Sequence, residues 1–156
     1  MPITKTIYGD LLEFPVIAHC ISADAAMGAG LVLQLTREYP FLPEDIRAKK
    51  LVPGEVFIFS DKEQTVFNIC TKQCYWQHIG NGISNAAYIK NLKTGLAVVF
   101  EYLDTLTKLD TVKGQTLWIP RLGCGLDRGY WPEVASFFTT VKQNIILVEL
   151  KDGKRL

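Results

Sequence analysis

"IPRLGCGLDRGYWPEV", residues 119–134, decides how the chain is read. It opens on an apolar, strand-like segment, passes through a loop with glycines at 123 and 125, and runs into a segment with Pro132 near its start. Proline is tolerated in the first turn of a helix, where its missing N–H costs nothing. The stretch therefore reads as strand, glycine loop, helix, with Asp127 where loop becomes helix. Three uses fit such a loop: a phosphate cradle, a catalytic corner, or a tight turn.

A second stretch has the same form. "SADAAMGAGLVLQL", residues 22–35, leads from the strand-like run "VIAHCIS" (16–22) through Gly28 and Gly30 into a helical pattern over 31–38. Further runs of strand length are "EVFIFS" (55–60), "TVFNICT" (65–71), "TLWIP" (116–120) and "IILVEL" (145–150), with "ITKTIYG" (3–9) a weaker candidate. They are short and mostly uninterrupted, as strands covered on both faces are. The pair 55–60 and 65–71 reads as a hairpin, which makes the sheet mixed. Between the strands, Ile89, Leu92, Leu96, Val99, Leu103 and Leu106 recur at threes and fours in one long apolar stripe, with Ser84 or Asn85 as its cap. Val134, Phe137, Phe138 and Val141 mark another helix, and "PEDIRAKK" (43–50) a short one. The order β-β-α-α-β-β-α-β-α-β predicts an α/β protein, with helices on both faces of the sheet.

Composition narrows the function classes. The 156 residues suit one domain, expected over 1–156. A net charge of +1 gives no general attraction to nucleic acid or anionic membrane. The N-terminus lacks a signal-peptide pattern, and no apolar run approaches the roughly 20 residues of a membrane span. Four scattered cysteines suggest no disulfide framework, so a reducing, cytoplasmic setting is expected. Cys70 and Cys74 lack two further nearby ligands for zinc.

Glycine loops between strand and helix can aim backbone N–H groups at an anion, and a side chain at those positions would block its approach. One such loop is commonly plain turn chemistry. Two at the carboxyl ends of strands, where open α/β sheets bind ligands, point to a ligand with two phosphates. Neither loop carries the GK[ST] of a nucleotide-hydrolysing P-loop or the dinucleotide-binding spacing.

With these motifs in place, "GDLLEF" (9–14), "AHCISADAAMGAGLVLQL" (18–35), "NICTKQ" (68–73) and "IPRLGCGLDRGYW" (119–131) resemble the macrodomain family of ADP-ribose-binding modules. The resemblance is greatest to its terminal ADP-ribose protein glycohydrolase branch. It covers nearly the whole chain and implies a three-layer α/β/α sandwich around a mixed sheet of about six strands. By this resemblance Asp10 accepts a hydrogen bond from the adenine amino group; taken alone, it reads equally as a turn or cap aspartate. Met27, Gly28, Ala29, Gly30 and Leu31 resemble the loop beside the distal ribose and diphosphate, and Gly123, Cys124, Gly125 and Leu126 the second phosphate loop. His19 and Ser22 match positions near the distal ribose, although a histidine in an apolar strand is also a common core residue. Thr71 and Arg121 complete the expected substrate-binding set. Lys72 resembles the lysine that attacks the distal ribose, and Asp127 the catalytic acid; each also has a plainer reading, as a surface lysine and as an aspartate favoured by a helix dipole.

A lysine and an aspartate make chemical sense together. ADP-ribose joined to a carboxylate or a base carries a sugar carbon at the aldehyde oxidation level. A neutral amine can attack it and expel the attached group, and water then releases ADP-ribose while a carboxylate moves the protons. No cofactor is needed. An amine with the reference pKa of about 10.4 is well under 0.1% free at pH 7, so the site must favour the neutral form by desolvation or by a nearby cation such as Arg121 or Arg128. The expected activity is hydrolysis of ADP-ribose from a protein carboxylate, a nucleic-acid base or an acyl adduct, by a monomer. The alternatives are an ADP-ribose-1″-phosphate phosphatase using His19 or Asp127, and a non-catalytic ADP-ribose reader. The segment 73–85, with Tyr75, Trp76 and His78, departs from the family pattern and is where substrate choice would be set.

Overall fold

The computed structural model describes residues 3, 5–28, 30–61, 63–109 and 112–149. In chain order the strands are β1 (Lys5–Tyr8), β2 (Val16–Ser22), β3 (Val56–Ser60), β4 (Thr65–Lys72), β5 (His78–Ile79), β6 (Gly82–Ile83), β7 (Thr116–Ile119) and β8 (Asn144–Glu149). The helices are α1 (Gly30–Glu38), α2 (Leu42–Lys49), α3 (Asn85–Lys108) and α4 (Trp131–Ala135). Six strands form one sheet in the order β1-β8-β7-β2-β4-β3. All neighbours are parallel except β3 and β4, which pair antiparallel as the expected hairpin.

The neighbouring interior strands β2 and β4 are the most deeply buried. Every residue of β4 is buried, and so is every residue of β2 except the half-buried Cys20. Alternation then divides the core in two. Val16 and Ala18 of β2 face one cluster, with Leu92, Leu96, Val99 and Leu103 of α3 and Val134 of α4. Ile17 and Ile21 face the other, with Leu35 of α1 and Leu42 and Ile46 of α2. These clusters on opposite faces of one sheet form the α/β/α sandwich.

The long stripe became α3, capped by Ser84, whose side chain accepts from Ala87 N–H at 3.1 Å. Gly95 lets α3 approach β4 closely: a Cβ there would lie 2.4 Å from Ile69 Cγ2. The helix expected to reach Val141 is shorter. α4 ends at Ala135 and tightens into a 3₁₀ turn over Ser136–Phe138. There Ser136 Oγ donates to Glu133 O and Thr139 Oγ1 to Ser136 O, competing with continued helix. The segment after Lys72 holds a small two-stranded ladder, β5–β6, that the sequence pattern did not predict. No helix among the described residues is long and apolar enough to cross a membrane.

Candidate functional site

A cleft of about 1030 Å³ opens at the carboxyl ends of β2, β4 and β7. Both glycine loops border it. Met27, Gly28 and Leu31 line one side; Arg121, Gly123, Gly125, Leu126 and Asp127 line another. His19, Ser22 and Lys72 line it from the strands. Its volume is at the upper end of the roughly 300–1,000 Å³ typical of ligand sites.

Lys72 ends β4 and is only 8% exposed. Its ammonium makes three hydrogen bonds, to Asp127 Oδ1 at 2.5 Å, Gln77 O at 2.7 Å and Tyr75 O at 3.0 Å. An ammonium has three N–H donors, so each has an acceptor. The Lys72 and Asp127 side chains are 10% and 13% exposed. Asp127 is held at two other points: its second carboxylate oxygen accepts from the Tyr88 hydroxyl, and its backbone carbonyl accepts from Ile79 N–H at 3.0 Å. Tyr88 is fully buried. Burial first, then the neighbouring Cys20 thiol and Asp127 carboxylate, push its phenol well above the ordinary value. Burial also pushes the Cys20 thiol far up.

The first glycine loop is built by Asp24, which the sequence reading did not single out. Its Oδ1 accepts from Ser22 Oγ at 2.5 Å and Ala26 N–H at 3.3 Å, and its Oδ2 accepts from Tyr75 N–H at 3.0 Å. Asp24 thereby joins this loop to the segment that holds Lys72. Ala25 and Met27 both adopt left-handed backbone, with φ of 52° and 49°, uncommon for residues with side chains and tolerated where the surroundings enforce it. Arg47 Nη1 of α2 donates to Ala25 O, and the Met27 side chain is buried in the core beside α1. α1 starts at Gly30, directly after this loop; Ala29 lies outside the described residues.

The second loop turns on Gly123, at φ +71°. Gly129 N–H closes the turn onto Gly123 O at 2.6 Å. Gly125 is exposed at the cleft and is not among the left-handed glycines. Cys124 does not line the cleft; its thiol donates to Leu122 O at 3.3 Å. Arg121 lines the rim and pairs with Glu149 of β8 through its Nε.

Two residues singled out from the sequence, Asp10 and Thr71, have positions away from the cleft surface. Asp10 caps the 3₁₀ turn Leu11–Glu13, accepting from Leu12 N–H at 3.0 Å, while its neighbours Gly9 and Leu11 line the cleft. Thr71 is fully buried, its hydroxyl 3.5 Å from Ile21 O. Gly30 forms the start of α1. His19 lines the cleft but is built into the sheet: Nε2 lies 2.5 Å from Asn68 Oδ1 on the neighbouring strand. Asn68 Nδ2 donates to Phe57 O at 3.0 Å, which leaves Oδ1 as acceptor and makes His19 Nε2 the protonated nitrogen. Nδ1 has no hydrogen-bond partner among the described residues. Burial holds His19 down to about 4, against the Asn68 hydrogen bond, which works the other way. Among the described residues no group of three His, Cys, Asp or Glu side chains is arranged to hold a metal ion.

No family model matches the chain. It is 28% identical over 138 residues to the ADP-ribose glycohydrolase OARD1 of Homo sapiens, covering 86% of this chain and 81% of that protein. Among solved structures, the macrodomain of Mycobacterium tuberculosis DarG has a TM-score of 0.67 at 19% identity, covering 92% of this chain and 96% of that one. Thermosipho africanus DarTG in complex with ADP-ribose has a TM-score of 0.69 at 18% identity, covering all of this chain and 44% of that one. The chain therefore has the fold of solved macrodomains, with sequence similarity to an ADP-ribose glycohydrolase across most of its length.

Proposed function

We propose that this macrodomain is an ADP-ribosyl hydrolase that releases ADP-ribose from a protein carboxylate, a nucleic-acid base or a small acyl adduct, with Lys72 as nucleophile and Asp127 as acid and base. The observation that carries it is the 2.5 Å contact between Lys72 Nζ and Asp127 Oδ1 in a cleft bordered by two glycine loops. The relative named an ADP-ribose glycohydrolase, and the related fold solved with ADP-ribose, support the same ligand.

Attack needs a lone pair on Lys72, and the hydrogen bond to Asp127 Oδ1 is a ready path for the proton to leave. Tyr75 O and Gln77 O then hold the two remaining N–H bonds. The amine forms a C–N bond to the sugar carbon as the bond to the attached group breaks, and Asp127 passes its proton to the departing group. Water next adds to the lysyl–sugar carbon with Asp127 as base. The C–N bond breaks, Lys72 recovers its electron pair and a proton, and ADP-ribose leaves. A reader needs no buried amine beside a carboxylate. The phosphatase alternative through His19 is less well supported, because its protonated nitrogen is committed to Asn68. The test is a panel of ADP-ribose adducts, including ADP-ribose-1″-phosphate, scored for free ADP-ribose with parent protein and Lys72→Ala. Release from an ester or base adduct that disappears in the variant supports the proposal. Parent-like release by the variant refutes it.

A further inference from the structure

The Lys72–Asp127 pair is supported from beneath by α3. Ser84 caps that helix, and Tyr88 N–H makes the first-turn bond to Ser84 O at 3.0 Å. Three positions along the same face lies Asn91, whose Nδ2 donates to Thr71 O at 3.0 Å, beside Lys72. One turn further, Gly95 rests against Ile69 of β4. This register against β4 brings the Tyr88 hydroxyl to Asp127 while the Tyr88 ring fills the space under Gly123. A phenylalanine would fill that space equally well, so core packing alone does not account for the hydroxyl. A buried phenol needs a polar partner, and here it is the second oxygen of the carboxylate that faces Lys72.

We propose that Tyr88 is the positioning residue of this pair: by holding Asp127 Oδ2, it leaves Oδ1 as the single oxygen that exchanges a proton with Lys72. The proposal rests on the reading of the pair as catalytic. A carboxylate with both oxygens unrestrained can rotate and present either one. With Oδ2 tied to a helix and the backbone carbonyl tied to Ile79, Asp127 has one orientation. The groups facing this carboxylate are Lys72 from β4, Tyr88 from α3 and Cys20 from β2.

The experiment is Tyr88→Phe, with Lys72→Ala in parallel and thermal melts of both. The expected result is a kcat lower by about tenfold to a hundredfold, part of the 10²–10⁴ typical of positioned proton transfer, with KM and ADP-ribose affinity within about twofold. Proton NMR supplies a readout independent of turnover. A low-field hydroxyl resonance should be present in the parent, absent from Tyr88→Phe and moved upfield in Asp127→Asn. Parent-like kcat in Tyr88→Phe with Lys72→Ala inactive overturns the role of Tyr88 and leaves the pair intact. A hydroxyl resonance indifferent to Asp127→Asn also overturns it. Turnover by Lys72→Ala overturns both.

Discussion

Gly123 rests on the ring of Tyr88: a Cβ at Gly123 would lie 2.8 Å from Tyr88 Cε1 and 3.0 Å from its hydroxyl oxygen. The same glycine has φ +71°, a conformation that disfavours any side chain. Gly123→Ala is therefore expected to cost about 2–4 kcal/mol of stability, combining left-handed strain with overpacking. Gly125, exposed and not left-handed, gives the contrasting case. Gly125→Val should keep the parent's denaturation midpoint and lose ADP-ribose binding. Equal destabilisation by both changes would mean that the loop has no separable ligand-facing position.

Lys72→Ala is expected to remove nearly all release of ADP-ribose while ADP-ribose affinity stays within severalfold, because most of the cleft is left alone. Asp127→Ala should stop turnover at a later point. Attack is slowed there by loss of the Asp127 proton path, but the lysyl–sugar intermediate resolves more slowly still, so intact-mass spectrometry after long incubation with substrate should find an adduct on Lys72. The double variant should be no slower than the worse single one, as expected of residues that act as a unit. A double variant much slower than either would argue for independent roles.

Acid stability follows from His19. Its folded value of about 4 lies below the ordinary 6.5, so the unfolded chain binds the proton more readily. Stability from this group is complete above pH 6.5, falls as pH drops below that, and is lost through pH 4; the loss is roughly 3 kcal/mol. His19→Gln retains an N–H donor for Asn68 and cannot titrate. Urea denaturation from pH 7 to 4 should therefore give a flatter stability profile in the variant. Parallel profiles would show that other groups control acid unfolding.

Affinity for AMP should be far below that for ADP-ribose, for which a micromolar dissociation constant is expected. The cleft has a glycine loop on each of two sides and the Lys72–Asp127 pair in addition, and AMP can occupy only part of it. Titration calorimetry giving equal constants would remove the argument for two cradles.

Much of the fold was legible in local pattern. The interior strands β2 and β4 read as short, mostly apolar runs because both faces are covered, and the stripe from Ile89 to Leu106 has the period of the helix it forms. The Lys72–Asp127 pair was found through motif resemblance, since nothing in either local stretch points to the other across 55 positions. Tyr88 was not found: beside Ile89 and Leu92 it looks like one more core aromatic, and only the tertiary register gives its hydroxyl a carboxylate. Asp24 was missed because its second oxygen serves a residue 51 positions away. Tyr75 and Gln77 hold Lys72 through backbone carbonyls, a role that side-chain identity does not encode. Gly123 and Gly125 stand in nearly the same local context and are separated only by backbone geometry.

The strand order has a consequence for biosynthesis. β2 and β4 are synthesised early and pair with each other, but the other flank of β2 is taken by β7, and β7 in turn by β8. A nascent chain that has emerged only to residue 115 carries Lys72 without Asp127, and β2 with one apolar parallel edge open. Such edges template association between chains, and late non-local pairing prolongs their exposure. A fragment stopped at residue 115 is therefore expected to scatter light and to depend on chaperones in cell-free translation, with no partial activity. A soluble, monodisperse fragment would show that β2 can be protected without its late partners.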